Sequence, residues 1–312
     1  RKAPREEAPK EEVPAAPSVR RLARELAIDI YEVEGTGPGD RITAEDIKAY
    51  ARELISGEGR QGALAEAPEL PDFSQWGEVE RESLSNIRRT TAHNTAAAWR
   101  LVPHVTHFDE ADIALPQDYI EKNADRVERA GGKLTLTALL VKLAAEALQQ
   151  FPALNASIDM KREEMIYKKY YHIGLAVDTE PGLLVPVVRD VDRKSITDIA
   201  VEINGLAEAA RNKELKPEQL QGGTFVVTNL GGIGGTNFTP IVYHPQVAIL
   251  GVARAAPRPV YVDGALEPRT FLPLSLSYDH RLIDGAEAAR FLRWLCEALE
   301  NPLSAIMEST TS

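Results

Sequence analysis

Apolar residues recur at helical spacing in some stretches of this chain and alternate in others. Val19, Leu22, Ala23 and Leu26 mark a short first helix, with Ser18 as its expected cap. A second helix is expected from near Thr43, where Asp46 completes a weaker form of capping box and Ile47, Tyr50, Ala51 and Leu54 line one side. Helical spacing returns at 84–100, at 134–150 (Leu136, Leu139, Leu140, Leu143, Ala147) and at 285–299. Strand-like runs are Ile173–Val177, Leu183–Val188, Thr224–Thr228, Val247–Val252 and Leu272–Tyr278. In the last of these Leu272, Leu274, Leu276 and Tyr278 alternate as on a strand with one buried face. Val262-Asp263-Gly264-Ala265 signals a hairpin. Helices interspersed with strands predict one large α/β (α+β) domain, a mixed sheet with helices, over 81–308.

Two stretches lack such patterning. Residues 1–16 mix Ala, Pro, Lys and Glu, and 53–80 contain Gly57, Gly59, Gly62, Pro68 and Pro71 among many acids. Neither buries enough apolar surface to offset its ordering entropy, so both read as linkers. They isolate 17–52 as a small all-α domain near the lower size limit for unaided folding. Its loop Gly35-Thr36-Gly37-Pro38-Gly39-Asp40 looks superficially like a phosphate-binding glycine motif. A dinucleotide fingerprint needs a preceding strand and a βαβ unit, and neither fits here. The glycines therefore read as turn residues. A short tail, 309–312, is polar.

Composition narrows the function. Of 312 residues, 44% are hydrophobic and 27% charged, as in ordinary globular chains. With 36 Lys and Arg against 47 Asp and Glu, the net charge of −11 argues against nucleic acid and anionic membranes as partners. No apolar run is long enough for a transmembrane span. The single Cys296 cannot form an internal disulfide and fits a reducing compartment. Because Arg1 stands where a methionine would, a processed or excised chain is expected.

The strongest chemical signal is Asp279-His280-Arg281-Leu282-Ile283-Asp284-Gly285, between the alternating strand and the amphipathic helix that follows. Such connections commonly hold reactive groups. Asp284 stands where a carboxylate caps a helix. On pattern alone, His280 and Asp284 are either catalytic or simply ties within the loop. His104 and His107 have H-x-x-H spacing, but three residues apart on a strand they point to opposite faces, so no metal site is expected.

At this point the sequence resembles a known family. Asp-His-Arg-Leu-Ile-Asp-Gly at 279–285 matches the H-x-x-x-D-G motif of the dihydrolipoamide acyltransferases, the core components of 2-oxo acid dehydrogenase complexes. Further blocks at 172–190, 222–231 (GGTFVVTNLG) and 245–252 (PQVAILGV) are similar to blocks of the same family. The resemblance covers essentially all of 81–300. It implies a chloramphenicol-acetyltransferase-like fold, a trimer with higher assembly, and coenzyme A and lipoate-borne dihydrolipoamide as acyl acceptor and donor. Residues 17–50 resemble the peripheral-subunit-binding domain of the same proteins, which tethers dihydrolipoamide dehydrogenase or the decarboxylating pyruvate dehydrogenase component. Arg20, Arg24 and Arg41 match the basic residues such domains present to an acidic partner.

The resemblance assigns roles. His280 becomes the base that takes the thiol proton, and Asp284 a holder of its loop. Thr228 stands where the family usually has a serine that stabilises the oxyanion. Asn229, Gly231 and Gly285 shape the substrate site. Two half-sites from neighbouring subunits are expected to bring His280 and Thr228 together. Leu303, Ile306 and Met307 are candidates for an apolar anchor between trimers. No Asp-Lys-Ala tripeptide, the family's lipoylation hairpin, occurs here, so the lipoyl domain is expected to lie outside this chain. The block at 104–112 resembles the acetyl-transferring, pyruvate-complex branch. A branched-chain or succinyl transferase and a non-catalytic docking scaffold stay open as alternatives. A bacterial cytoplasmic location is expected, with the mitochondrial matrix also open.

Overall fold

A computed structural model describes residues 14–26, 28–56, 69–180, 182–262 and 264–301. The chain divides into two compact units, Arg1–Arg81 and Glu82–Ser312. Most of 1–16, residues 57–68 of the second expected linker, and 302–312 with Leu303, Ile306 and Met307 lie outside the described residues.

In the first unit, helix α1 spans Pro17–Glu25 and α2 spans Ala44–Ser56. Ser18 does not cap α1. Proline, preorganised for the first helical position, starts it at Pro17 with Ala16 outside. The capping box of α2 is present: Asp46 N–H donates to Thr43 Oγ1, and Thr43 N–H donates to the Asp46 carboxylate. Val19, Ala23, Ile28, Val33, Ile42 and Ile47 form the small core. The glycine loop folds tightly on itself. A Cβ on Gly35 would lie 2.3 Å from Asp40 O, and one on Gly37 2.6 Å from Arg41 O. The Asp46 carboxylate accepts from Thr36 N–H, Thr36 Oγ1 and Thr43 N–H, which holds its pKa down at about 2. The loop's donors thus serve the protein's own anion.

The second unit begins with α3 (Asn86–Leu101), capped by Ser85, then β1 (His104–Asp112), α4 (Ala114–Arg129) and α5 (Leu136–Gln150). Short strands follow: β2 (Ala156–Asp159), β3 (Glu164–Tyr167), β4 (Ile173–Leu175), β5 (Val177–Thr179), β6 (Gly182–Leu184) and β7 (Val187–Val188). Then come α6 (Ile196–Arg211), β8 (Phe225–Asn229), β9 (Ala248–Val252), β10 (Ala256–Val262), β11 (Ala265–Asp279) and α7 (Gly285–Glu300). Among the described residues the main sheet is mixed and seven-stranded, in the order β1-β11-β9-β8-β4-β7, with β10 paired to β11 as the expected hairpin. The two longer predicted strands at 173–188 are broken into four pieces, two in the main sheet and two in a separate hairpin.

One face of this sheet carries the core. Leu274, Leu276 and Tyr278 of β11, Ala248, Leu250 and Val252 of β9, and Phe225 and Val227 of β8 pack against α5 and α7. Phe291 of α7 sits between Phe151 and Phe225, with ring centroids 5.7 and 5.9 Å away. The opposite face is mixed: Val226 and Ile249 join Val102 and Val242 in a small cluster, beside the buried Ser275 and Ser277. Thr228, Gly251, Ser275 and Phe108 fall in one cross-strand row of that face.

Candidate active site

His280 follows the last residue of β11, and the turn that holds it is wound on Asp279. The Asp279 carboxylate, 1% exposed, accepts from Arg281 N–H and Nε (both 3.0 Å) and from Nη2 at 2.6 Å. Its carbonyl accepts from Leu282 and Ile283 N–H, and its own N–H donates to Val247 O. His280 N–H donates to Pro103 O, so the backbone is fixed on both sides while the imidazole stays exposed. The bidentate Asp279–Arg281 pair was given no role from sequence. Its signal was available: an acid and an arginine bracketing a histidine just where a strand ends.

Asp284 caps α7, its carboxylate accepting from Glu287 N–H at 2.8 Å. That bond, then Ala286 N–H and the nearby Arg290 and His280, hold its carboxyl below the usual range. Gly285 starts the helix beside Tyr278 and His107, and a Cβ there would meet both at 3.7 Å. Tyr278 is buried on the core face with its ring 5.8 Å from that of His280, and its hydroxyl shares a 3.2 Å hydrogen bond with His107 Nδ1. Burial, with the charge of Asp284, pushes that hydroxyl's pKa up and keeps it protonated. His104 has a separate assignment: Nδ1 donates to Val102 O at 2.7 Å and Nε2 accepts from Val242 N–H at 2.9 Å. Among the described residues no group of three or more His, Cys, Asp or Glu is placed to hold a metal.

The second group lies at the end of β8. Thr228 is half-buried and pairs with Gly251. Asn229 donates from Nδ2 to Thr137 Oγ1 and accepts at Oδ1 from Gly231 N–H at 2.8 Å. Gly231 is tightly placed: a Cβ would lie 3.0 Å from both Ala253 O and Asn229 Oδ1, so those neighbours would have to yield. Thr228 and His280 do not meet within one chain. They are two strands apart, and His280 lies beyond Ser275, the residue of β11 in the Thr228 row. At ~4.8 Å per strand and ~3.3 Å per residue the separation is on the order of 20 Å.

Of the remaining candidates, Arg20 and Arg24 are four residues apart on α1 and share a side, and Arg41 is exposed just past the glycine loop. Cys296 is wholly buried in α7, where burial raises its thiol pKa and denies it a nucleophile's role. Among the described residues no helix is long and apolar enough to cross a membrane.

The family model described as 2-oxoacid dehydrogenases acyltransferase (catalytic domain) matches residues 77–307, and that of an e3 binding domain matches 13–48. The chain is 45% identical over 289 residues to a dihydrolipoyllysine-residue acetyltransferase component of pyruvate dehydrogenase complex from Cupriavidus necator, covering 89% of this chain and 52% of that protein. It is 46% identical over 293 residues to the protein of the same description from Pseudomonas aeruginosa, covering 92% and 54%. It thus spans about half the length of these relatives. Among solved structures, dihydrolipoamide acetyltransferase of Azotobacter vinelandii superposes with a TM-score of 0.74 at 46% identity, over 77% of this chain and 100% of that one. The work on that protein concerns the role of a serine, a histidine and an asparagine in its catalytic mechanism. The cubic core of a pyruvate dehydrogenase multienzyme complex gives the same TM-score at 45% identity, with the same coverage.

Proposed function

This chain belongs to the 2-oxoacid dehydrogenase acyltransferase family, and on that premise we propose that it transfers an acetyl group between dihydrolipoamide and coenzyme A as the core of a pyruvate dehydrogenase complex. The observation that carries the reading is one of spacing and placement. Thr228, His280 and Asp284 are separated in sequence as are the serine, histidine and asparagine named for the Azotobacter vinelandii enzyme. Each also has a matching position here: an exposed imidazole in a rigid turn, a helix cap behind it, and a hydroxyl at a strand end.

A thiol with a pKa near 8.5 is mostly protonated at neutral pH. His280 takes the proton from the coenzyme A sulfur as that sulfur attacks the thioester carbonyl of acetyl-dihydrolipoamide. The carbonyl oxygen gains negative charge, and Thr228 Oγ1–H donates to it. Collapse expels the dihydrolipoamide sulfur, which receives the proton back from the imidazolium. No acyl-enzyme forms, since nucleophile and electrophile both arrive on carriers. Asp284 keeps the loop in place through its cap, while Asn229, Gly231 and Gly285 shape the two turns.

A separation on the order of 20 Å within one chain supports a site completed by a second copy, hence a trimer. The cubic core among the solved relatives supports assembly of trimers into a larger shell. Residues 17–52 dock dihydrolipoamide dehydrogenase, the pyruvate dehydrogenase component, or both, through Arg20, Arg24 and Arg41, and 53–80 tether this unit to the catalytic domain of 81–308. The bacterial relatives support a cytoplasmic location.

The test is acetyl transfer from acetyl-coenzyme A to free dihydrolipoamide by the full chain and by His280→Ala. A loss of about 10²-fold or more at unchanged melting temperature is expected. Indifference to the substitution would refute His280 as the base. Equal or better rates with isobutyryl or succinyl thioesters would refute the acetyl assignment.

A further inference from the structure

The turn that follows Thr228 and Asn229 is held by Asn229 and by one further side chain, which comes from the connection after β9. Leu230 to Thr236 (Leu-Gly-Gly-Ile-Gly-Gly-Thr) leaves β8 and runs over the end of β9. Gly231 N–H goes to Asn229 Oδ1, Ile233 and Gly234 N–H both go to Leu230 O, and Leu230 N–H goes to Val252 O. Three further carbonyls of the turn are met by one residue. Those of Gly231 and Ile233 accept from Arg254 Nε (3.3 Å) and Nη2 (2.9 Å), and that of Gly235 accepts from Arg254 N–H (3.3 Å). Gly234 and Gly235 adopt φ of +155° and +86°, a backbone with little shape of its own to fall back on. Arg254 lies just beyond β9, whose Gly251 and Val252 pair with Thr228 and Asn229.

We infer that Arg254 is a positioning residue for acyl transfer, its fork fixing the turn so that the Thr228 hydroxyl faces the developing oxyanion. The inference rests on the role proposed for Thr228. It is geometric rather than electrostatic: two carbonyls two residues apart are spanned by a planar guanidinium, which an ammonium cannot reproduce. Arg254 and the loop carbonyls are near solvent, so water replaces the bonds when the side chain goes and stability changes little.

A mutant cycle in the full chain tests this, with acetyl-coenzyme A and dihydrolipoamide as the assay pair. Arg254→Met and Arg254→Lys are expected to lower kcat by about 10- to 100-fold, the scale of a small misplacement, with KM for both substrates nearly unchanged. The melting temperature stays within about 2 °C of the parent. Added guanidinium ion restores part of kcat to Arg254→Met, a recovery that a general loss of folding would not give. In the Thr228→Ala background the Arg254→Met step costs little more, because the group it positions is already gone. If Thr228→Ala lowers the rate and Arg254→Met does not, or if their losses multiply, the positioning role is overturned while Thr228 stands. If Thr228→Ala alone leaves the rate unchanged, the role of Thr228 fails, and this inference with it.

Discussion

Gly251 is the tightest point beside the Thr228 row, and replacing it by alanine is the most direct test of that packing. A Cβ there would lie 2.4 Å from Ser275 Oγ on β11 and 2.8 Å from Phe238 Cζ, below any ordinary contact distance. Both neighbours must give way, from different sides. Overpacking of this kind costs about 1–3 kcal/mol, and the entropy gained by removing a glycine from the unfolded chain returns about 0.4–1 kcal/mol. A net loss of about 1–2 kcal/mol, at roughly 2–4 °C per kcal/mol for a domain of this size, lowers the melting temperature by about 2–8 °C. Calorimetry on the full chain reads this in the transition of the larger unit. Because the Ser275 hydroxyl is the nearest obstacle, Gly251→Ala combined with Ser275→Ala should be less destabilised than the two single losses added, with coupling of about 0.5 kcal/mol or more. A Gly251→Ala protein that melts with the parent, or a double variant that is strictly additive, would refute the packing argument.

Two further expectations concern carboxylates. Asp46, held at about 2 by Thr36 and Thr43 donors, stabilises the small unit fully above its ordinary value of 3.8, and that contribution is lost as pH falls through about 2. Acid unfolding of the small unit, followed by amide resonances of α2, should therefore steepen between pH 4 and 2, and Asp46→Asn should flatten that limb; an unchanged acid profile would refute it. Asp284→Asn keeps an acceptor for Glu287 N–H and should retain most acetyl transfer, whereas Asp284→Ala, which lacks one, should lose more. Equal losses in steady-state assays of the two variants would mean that charge, not capping, is what Asp284 contributes.

Legibility in the sequence followed how each element is stabilised. α5 and α7 were readable because their apolar stripes fill the core, and β11 because Leu272, Leu274, Leu276 and Tyr278, two residues apart, all fall on the buried face. α4 buries only Pro116 and Val127, so it presents almost no stripe to find. α6 buries Ile199, Ala200, Leu206 and Ala210, so it carried a stripe, and the Ser195–Asp198 capping box was a further usable signal. The runs at 173–188 looked continuous because apolar content does not register where pairing changes partner; β5 and β6 leave the main sheet to pair with each other. In the site, His280 stood out by motif and position. Asp279 and Arg281 were visible only as charges bracketing the histidine, and Arg254 not at all, since it acts through hydrogen-bond geometry that spacing alone does not encode.

The distribution of these groups also says what kind of chemistry the scaffold suits. His280 and Thr228 are fixed at separated places on one hydrogen-bonded sheet, and a paired sheet does not bend to close a gap on the order of 20 Å. Each half is rigid on its own terms: one turn is wound on the buried Asp279, the other held by Asn229 and Arg254. A reaction whose two sulfurs both arrive on long carriers needs no covalent nucleophile from the protein. It needs a base and an oxyanion donor facing each other, and on the proposed function two copies of a rigid chain meeting along that face would supply both. The half-exposed Phe108 at the end of the Thr228 row is surface such a meeting would cover, whereas Ser275 in the same row is already buried within the chain. On this reading the assembly is part of the active site, and neither the base nor the donor has to move for the proton to be taken and returned.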